Sequence, residues 1–280
     1  MQAVPTCPAV RSEIDRPDDP SGRPEIQVFY VLPSDGVDEQ LDTSERICNS
    51  VLGFEDWLET QTGGRRLRLD VADGELDITF VRLDRTDAEM HGTDQAASIE
   101  TGVAYVRDRI ERELILGDWL QSHELAAVYY GGTSEYACGG GAWPPVLVGR
   151  VAALYLGGRI AGFDACDSAA WGEAGRGPGY LDYAMLHEIV HTLGMVGASS
   201  PNQHSSGHVF DTAAASPERD LMYSPRDGRD PPWGTYDPRG LALDVGGDDY
   251  FEHGKAGMPD LAHSALVDPL PERAELPPGW

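Results

Sequence analysis

Short runs of apolar residues alternate with longer segments of helical periodicity along the first two thirds of the chain. Residues 26–32 (IQVFYVL) are β-branched, aromatic and almost continuously apolar, which is typical of a buried central strand. Similar runs predict further strands at residues 67–71, 76–83, 125–130 and 146–156. The stretch GGTSEYACGGGAWPP before the last of these has the composition of a loop.

Apolar residues at helical spacing predict helices between these strands. The first is expected over about residues 44–60 and the second over about residues 94–121. A third, at residues 180–194 (YLDYAMLHEIVHTLG), follows a Gly-Pro-Gly break and ends at Gly194, which suits a helix C-terminus. Asp182 suits its first turn. The order of strands and helices predicts a fold of the α+β (mixed α/β) class.

The composition changes after Gly194, where Gly, Pro, Asp and Ser become frequent and periodic segments become short. We therefore expect a loop-rich lower lobe over residues 195–280 and an upper lobe, with a mixed sheet and two long helices, over residues 25–194. The two lobes form one domain, residues 25–280. Residues 1–24 contain five prolines and are predicted to form an extended N-terminal arm.

The formal net charge of −26 over 280 residues makes the protein strongly acidic. Such a charge repels nucleic acids and anionic membranes, so neither is expected as a partner. No apolar run approaches the length of a membrane span, and the N-terminal residues lack the basic and apolar regions of a signal peptide. The protein therefore either stays inside the cell or has lost a leader, and we expect a monomer.

Four cysteines help to choose between these locations. They occur singly, without the CxxC spacing that marks many metal sites. Two disulfide bonds are expected, and chain order favours Cys7–Cys48 and Cys138–Cys166 among the three possible pairings. Disulfide bonds persist in oxidising compartments, so this interpretation favours a secreted, extracellular protein. Four free thiols in a cytosolic protein are the alternative.

The candidate chemistry lies in the HEIVH segment of the third predicted helix. On a helix, His187 and His191 lie one turn apart on the same face, so both imidazoles can bind one metal ion. Glu188 emerges beside them and can take a proton from a water molecule that attacks a carbonyl group. The spacing therefore predicts a zinc hydrolase, and two histidines in the core of a buried helix are the structural alternative.

The longer segment HEIVHTLG resembles the first eight positions of the metzincin signature, HExxHxxGxxH, which belongs to a family of zinc metalloproteases. The resemblance implies one catalytic Zn²⁺, a metzincin-like upper lobe that contains the active-site helix, and a sharp turn at Gly194 before a third ligand. The third ligand's place in the signature is here Gly197, which has no side chain. A longer loop would bring a later residue to the metal, and His208 is favoured, with Asp211 as its hydrogen-bond partner.

Other third ligands stay open. Asp211 is the main rival, because some metzincin-like proteases use Asp in this role, and His204 is another candidate, although its polar surroundings suit a solvated histidine. In a gluzincin-like site the ligand would be a downstream Glu, for which Glu218 is the candidate.

The segment DLMYSP, residues 220–225, resembles the methionine-containing turn that lies beneath the metal in metzincins. The resemblance implies that Met222 forms a soft floor below the imidazoles. In some metzincins a tyrosine two residues after this methionine approaches the metal. Here that position is Ser224, and Tyr223 directly follows Met222. Tyr223 is therefore a candidate for stabilising an oxyanion.

The motifs and the resemblance together predict a secreted zinc-dependent metalloendopeptidase with Glu188 as general base. The strand at residues 146–156 is the expected cleft edge for an extended protein or peptide substrate. Two alternatives are a binding protein that keeps the metal without turnover and a zinc amidase with a non-peptide substrate. Asp244, Asp248 and Asp249 offer the hard oxygen ligands of a Ca²⁺ site, and a turn with solvated carboxylates is the alternative there.

Overall fold

The computed structural model describes most of the chain. The described residues are 2–16, 22–91, 99–134, 137–158, 166, 171–172, 177–204, 207–210, 219–224 and 240–280. Within them, a five-stranded sheet with helices on both faces is followed by a loop-rich C-terminal part. This arrangement is the predicted mixed α/β class.

The strands of the described chain are β1 (Glu25–Leu32), β2 (Arg66–Leu67), β3 (Val71–Ala72), β4 (Glu75–Leu76), β5 (Ile78–Arg82), β6 (Glu124–Tyr130), β7 (Gly139–Trp143), β8 (Leu147–Tyr155) and β9 (Val267–Asp268). The main sheet has the order β5-β1-β6-β8-β7, in which β5, β1, β6 and β8 run parallel. The predicted central strand is confirmed, because every residue of β1 is buried and β1 lies between β5 and β6.

The antiparallel edge strand β7 corrects two predictions. Its sequence GGGAW has little intrinsic strand propensity, and it forms a strand because it pairs with β8, with Gly141 opposite Ala152. The prediction of a loop over this segment is therefore wrong. Because β8 lies between β6 and β7, the prediction that residues 146–156 form the cleft edge is also wrong. Among the described residues, the edge strand on that side of the sheet is β7.

Helices cover both faces of the sheet. They are α1 (Arg46–Thr62), α2 (Asp87–His91), α3 (Ile99–Leu116) and α4 (Tyr180–Thr192). Helices α1 and α4 pack into the core on one face and α3 packs on the other. The predicted first and third helices are confirmed as α1 and α4. The predicted second helix is α3, which ends at Leu116, and the predicted start lies outside the described residues.

Both predicted disulfide bonds are confirmed. Cys7–Cys48 joins the N-terminal arm to α1, and Cys138–Cys166 joins the residue before β7 to the chain that precedes α4. The arm also pairs with β5 at Ser12, on the edge of the sheet opposite β7. Among the described residues, none of the helices combines the length and the apolar character that a bilayer crossing needs.

Buried carboxylates organise the described C-terminal part, which has few regular elements. Asp220 is fully buried and accepts the backbone N–H groups of Met222 at 2.8 Å and Val245 at 2.6 Å, together with the Tyr250 hydroxyl at 2.9 Å. Asp244 accepts the backbone N–H of Tyr250 at 2.8 Å. These side chains replace the hydrogen bonds that a helix or sheet would supply to the same backbone groups.

Candidate metal centre

Helix α4, which carries HEIVH, is fixed at both ends. The buried carboxylate of Asp182 accepts the backbone N–H groups of Gly172 at 2.7 Å and Gly179 at 2.8 Å, so the first turn is anchored. Gly194 follows the helix at φ +81°, and a Cβ there would lie 2.6 Å from Pro278 Cδ. Only glycine fits this turn without strain, as its place in the motif predicts.

Three imidazoles meet beside this helix. The Nε2 atoms of His187 and His191 lie 3.0 Å apart, those of His187 and His208 lie 3.2 Å apart, and those of His191 and His208 lie 3.1 Å apart. In a tetrahedral zinc site with Zn–N bonds of about 2.0–2.1 Å, ligand nitrogens are separated by roughly 3.3–3.4 Å. The triangle of nitrogens therefore has nearly the size of one face of such a tetrahedron.

The protonation states of His187 and His191 suit metal binding. His187 Nδ1 lies 2.7 Å from the Leu221 carbonyl oxygen, so the hydrogen bond assigns the proton to Nδ1 and leaves a lone pair on Nε2. Burial lowers the pKa of His187 to about 4. Burial, with repulsion from the neighbouring histidines, also lowers the pKa of His191 well below its ordinary value. Both rings are therefore neutral at pH 7, the form that ligates Zn²⁺.

Glu188 lies between α4 and the edge strand β7. Its half-buried carboxylate accepts a hydrogen bond from the backbone N–H of Gly141, and the loss of solvent raises its pKa to about 8. A Cβ on Gly139 would lie 2.5 Å from Glu188 Oε1, and one on Gly141 would lie 2.6 Å from the Glu188 backbone oxygen. The glycines of β7 therefore allow the edge strand to lie directly against the helix.

His208 lies in the second of two short extended segments, residues 202–204 and 207–210, which pair antiparallel through Gln203 and Val209. We name these segments the His208 hairpin. The backbone N–H of Val209 donates to the carbonyl of Met222 at 2.9 Å, so the hairpin lies beside the methionine-containing turn. Met222 is fully buried, and the carbonyl of its neighbour Leu221 accepts the His187 hydrogen bond. The same turn thus supports two of the three histidines.

The other predicted site residues have different positions. His204 stacks on the His208 ring with centroids 5.4 Å apart and an interplanar angle of 19°, and it is not one of the three histidines whose Nε2 atoms converge. Tyr223 is partly exposed in the turn after Met222. Its role stays a prediction. Asp211 and Glu218 lie outside the described residues, so their roles stay predictions too.

The aspartates of the predicted calcium site form a cluster in which ligand oxygens of Asp244, Asp248 and Asp249 lie within 4.8 Å of one another. The Asp249 carboxylate accepts the backbone N–H of Asn202 at 2.9 Å and its side-chain N–H at 2.8 Å. Hydrogen bonds of this kind are typical of a capped turn. Calcium binding stays a prediction.

Two contributors to the site were missed by the sequence reasoning, namely the Gly141 N–H and the Leu221 carbonyl. A backbone group leaves no mark on the residue type, so the Leu221 contact carries no sequence signal. The run GGGAW did carry one, because consecutive glycines next to a buried strand indicate a close backbone approach.

No protein-family model matches the sequence, and no curated protein matches it. Among solved structures, the chain is similar to a catalytically inactive OgpA from Akkermansia muciniphila in complex with an O-glycopeptide substrate, with a TM-score of 0.43 and 15% identity. That match covers 88% of this chain and 63% of the other, so this chain spans less than two thirds of that protein.

Two further matches are more distant. Archaemetzincin from Methanopyrus kandleri matches with a TM-score of 0.32 and 13% identity, over 65% of this chain and 82% of that one. A chain of a chaperone–substrate complex matches with a TM-score of 0.32 and 15% identity, over 85% of this chain and 32% of that one. We infer no function from likenesses at these TM-scores.

Proposed function

We propose that this protein is a zinc-dependent metalloendopeptidase of the metzincin-like type, which hydrolyses peptide bonds in protein or peptide substrates outside the cell. The observation that supports this proposal most strongly is the convergence of three Nε2 atoms, 3.0–3.2 Å apart, beside the carboxylate of Glu188. The two disulfide bonds support an oxidising, extracellular location.

The proposed ligands are His187, His191 and His208. These three residues would hold a zinc ion, which when bound would polarise a carbonyl oxygen and lower the pKa of a bound water to about 7. The contribution of the chain is to bring the three rings together and, through burial, to keep His187 and His191 neutral, while the Leu221 carbonyl orients His187.

Glu188 is the proposed general base. Without metal the Glu188 carboxyl group is largely protonated at pH 7, since its pKa is about 8. The positive charge of a zinc ion held beside it would lower that pKa, and the carboxylate could then accept a proton from the attacking water and return it to the leaving amine. The hydrogen bond from the Gly141 N–H holds this carboxylate beside the edge strand β7. In the described part of the chain, β7 pairs with β8 along one side only, so an extended peptide can add to its outer edge as a further strand.

The substitution Glu188→Gln separates metal binding from turnover. We expect the variant to keep one zinc ion per chain and to lose about 10²–10⁴-fold in kcat on a quenched fluorescent peptide or casein, because the general base is removed. Glu272→Gln, at an exposed position far along the chain, is the matched control and should keep full activity. Unchanged turnover by the Glu188 variant would contradict the assigned role. Zinc-loaded wild-type protein that cleaves nothing in a broad peptide mixture would favour the binding-protein alternative.

The third ligand is tested by metal content. His208→Ala should reduce bound zinc below one ion per chain after dialysis, because a catalytic zinc needs three protein ligands. His204→Ala and the exposed control His263→Ala should keep it. Retention by the His208 variant together with loss by the His204 or Asp211→Asn variant would reassign the ligand.

A further inference from the structure

The indole of Trp143 joins the parts of the candidate metal centre. Trp143 is the last residue of β7, its side chain is 7% exposed, and its Nε1–H donates to the carbonyl oxygen of Met195 at 3.1 Å. Met195 follows the turn at the end of α4. The hydrogen bond therefore ties the edge strand to the C-terminal end of the helix that carries His187 and His191.

The indole of Trp143 also contacts Gly207, the residue immediately before His208. Gly207 has φ +79°, a conformation that residues with a side chain rarely adopt. A Cβ on Gly207 would lie 2.7 Å from Cε2 and 2.8 Å from Cδ2 and Nε1 of Trp143. The five-membered ring and its fusion edge thus touch the backbone of the His208 hairpin, where no side chain fits.

A second contact fixes the hairpin to the methionine-containing turn, because the Val209 N–H donates to the Met222 carbonyl at 2.9 Å. His208 therefore sits between two fixed neighbours. One is the indole that contacts Gly207, and the other is the backbone that bonds Val209. A shift of the hairpin at Gly207 moves His208 directly, because the two residues are adjacent in sequence.

We propose that Trp143 is a positioning residue: its indole packs against Gly207 and thereby sets the distance of His208 Nε2 from the other two imidazoles. This inference rests on the proposed metal centre. The chain supplies a matched control in Gly197, the glycine that occupies the family's third-ligand position. The nearest atom to a Cβ on Gly197 is 3.8 Å away, and its φ is not in the left-handed region.

The first measurement is the zinc dissociation constant of the full chain, determined by competition with a chromophoric chelator. Gly207→Ala should weaken zinc binding tenfold or more, because the added methyl group displaces the hairpin from the indole. Gly197→Ala should stay within about twofold of wild type. Equal zinc affinities of the wild type and the Gly207 variant would overturn the proposal.

A double-mutant cycle separates the contact with the indole from the backbone strain of placing alanine at positive φ. If the contact matters, Gly207→Ala weakens zinc binding less in a Trp143→Ala background than in the wild type, because the clash is already relieved. Strictly additive effects would assign the loss to backbone strain alone and overturn the role of Trp143. Trp143→Leu, which keeps an apolar side chain and removes the ring atoms that a Cβ on Gly207 would meet, serves if the alanine variant does not fold.

A second readout does not depend on metal. In the zinc-free protein, Gly207→Ala should accelerate hydrogen exchange at the Val209 amide, which bonds to Met222, while Gly197→Ala leaves it unchanged. An unchanged exchange rate in the Gly207 variant would overturn the proposed role of the contact between the indole and Gly207. If the wild type takes up no zinc, the proposed function fails, and exchange at the Val209 amide measured in the same double-mutant cycle still decides whether the indole positions the hairpin. Gly207→Ala should then accelerate exchange less in the Trp143→Ala background than in the wild type, and strictly additive effects would overturn the role of Trp143.

Discussion

Glu55 offers a quantitative test of how burial governs this fold. It lies on α1 with 2% of its surface exposed, and its two carboxylate oxygens accept the backbone N–H of Leu67 at 3.1 and 3.2 Å. Burial is the main reason that the pKa of Glu55 rises from 4.5 to about 8. Glu55→Gln keeps the shape and an acceptor for Leu67, and it removes the titration.

The sign of the effect follows from the raised pKa. Between pH 4.5 and about 8 the folded chain holds a proton on Glu55 that the unfolded chain releases. The stability from this group is therefore fully present below pH 4.5 and is lost as the pH rises through that window. At about 1.4 kcal/mol per pH unit, the loss reaches roughly 3 kcal/mol at pH 7 and roughly 5 kcal/mol above pH 8. Gln stays neutral at every pH, so the free energy of unfolding of Glu55→Gln should exceed that of the wild type by these amounts.

The assay is urea unfolding of both proteins at about pH 5, 7 and 8.5, with the free energy of unfolding extrapolated to water. Glu59→Gln is the control on the same helix, because the Glu59 carboxylate is 37% exposed and pairs with Arg66 at 2.6 Å. Its removal should change stability by no more than about 1 kcal/mol. A difference between Glu55→Gln and the wild type that stays constant with pH would refute the reasoning.

Two further predictions concern the edge strand β7 and the residue before it. Replacing both Cys138 and Cys166 with Ser removes a bond that closes a loop with a sequence separation of 28 residues. The free energy of unfolding, measured in guanidinium chloride, should fall by about 3–4 kcal/mol. A loss below about 1 kcal/mol would show that the bond does not constrain the unfolded chain. Gly141→Ala should lower kcat without unfolding the protein, because its Cβ would lie 2.9 Å from the Cβ of His191, whereas Gly53→Ala on α1 meets no atom within 4 Å and should leave kcat unchanged. Equal activities of the two glycine variants would contradict the close approach of β7.

Patterns of local origin could be predicted from the sequence. The helix that carries HEIVH has its apolar stripe, its Asp182 anchor and its Gly194 stop within a single segment, so neighbouring residues define it. The continuous apolar run of β1 likewise identifies a strand that is buried on both faces. The disulfide pairings followed from chain order.

Features that depend on tertiary contacts could not be predicted in this way. The strand β7 has no strand pattern of its own, because its glycines are required by the approach of α4 and by pairing with β8. For the same reason the sequence assigned the sheet edge to the more apolar β8. The choice among His204, His208 and Asp211 depended on the path of a loop, which residue types alone do not determine.

The most direct test of the central claim is an anomalous difference map, collected at the zinc absorption edge from crystals of protein purified without chelators. The metal centre described above predicts a single strong peak about 2.0–2.1 Å from the Nε2 atoms of His187, His191 and His208. A map with no peak between these three nitrogens, from protein that also fails to take up added zinc, would contradict it.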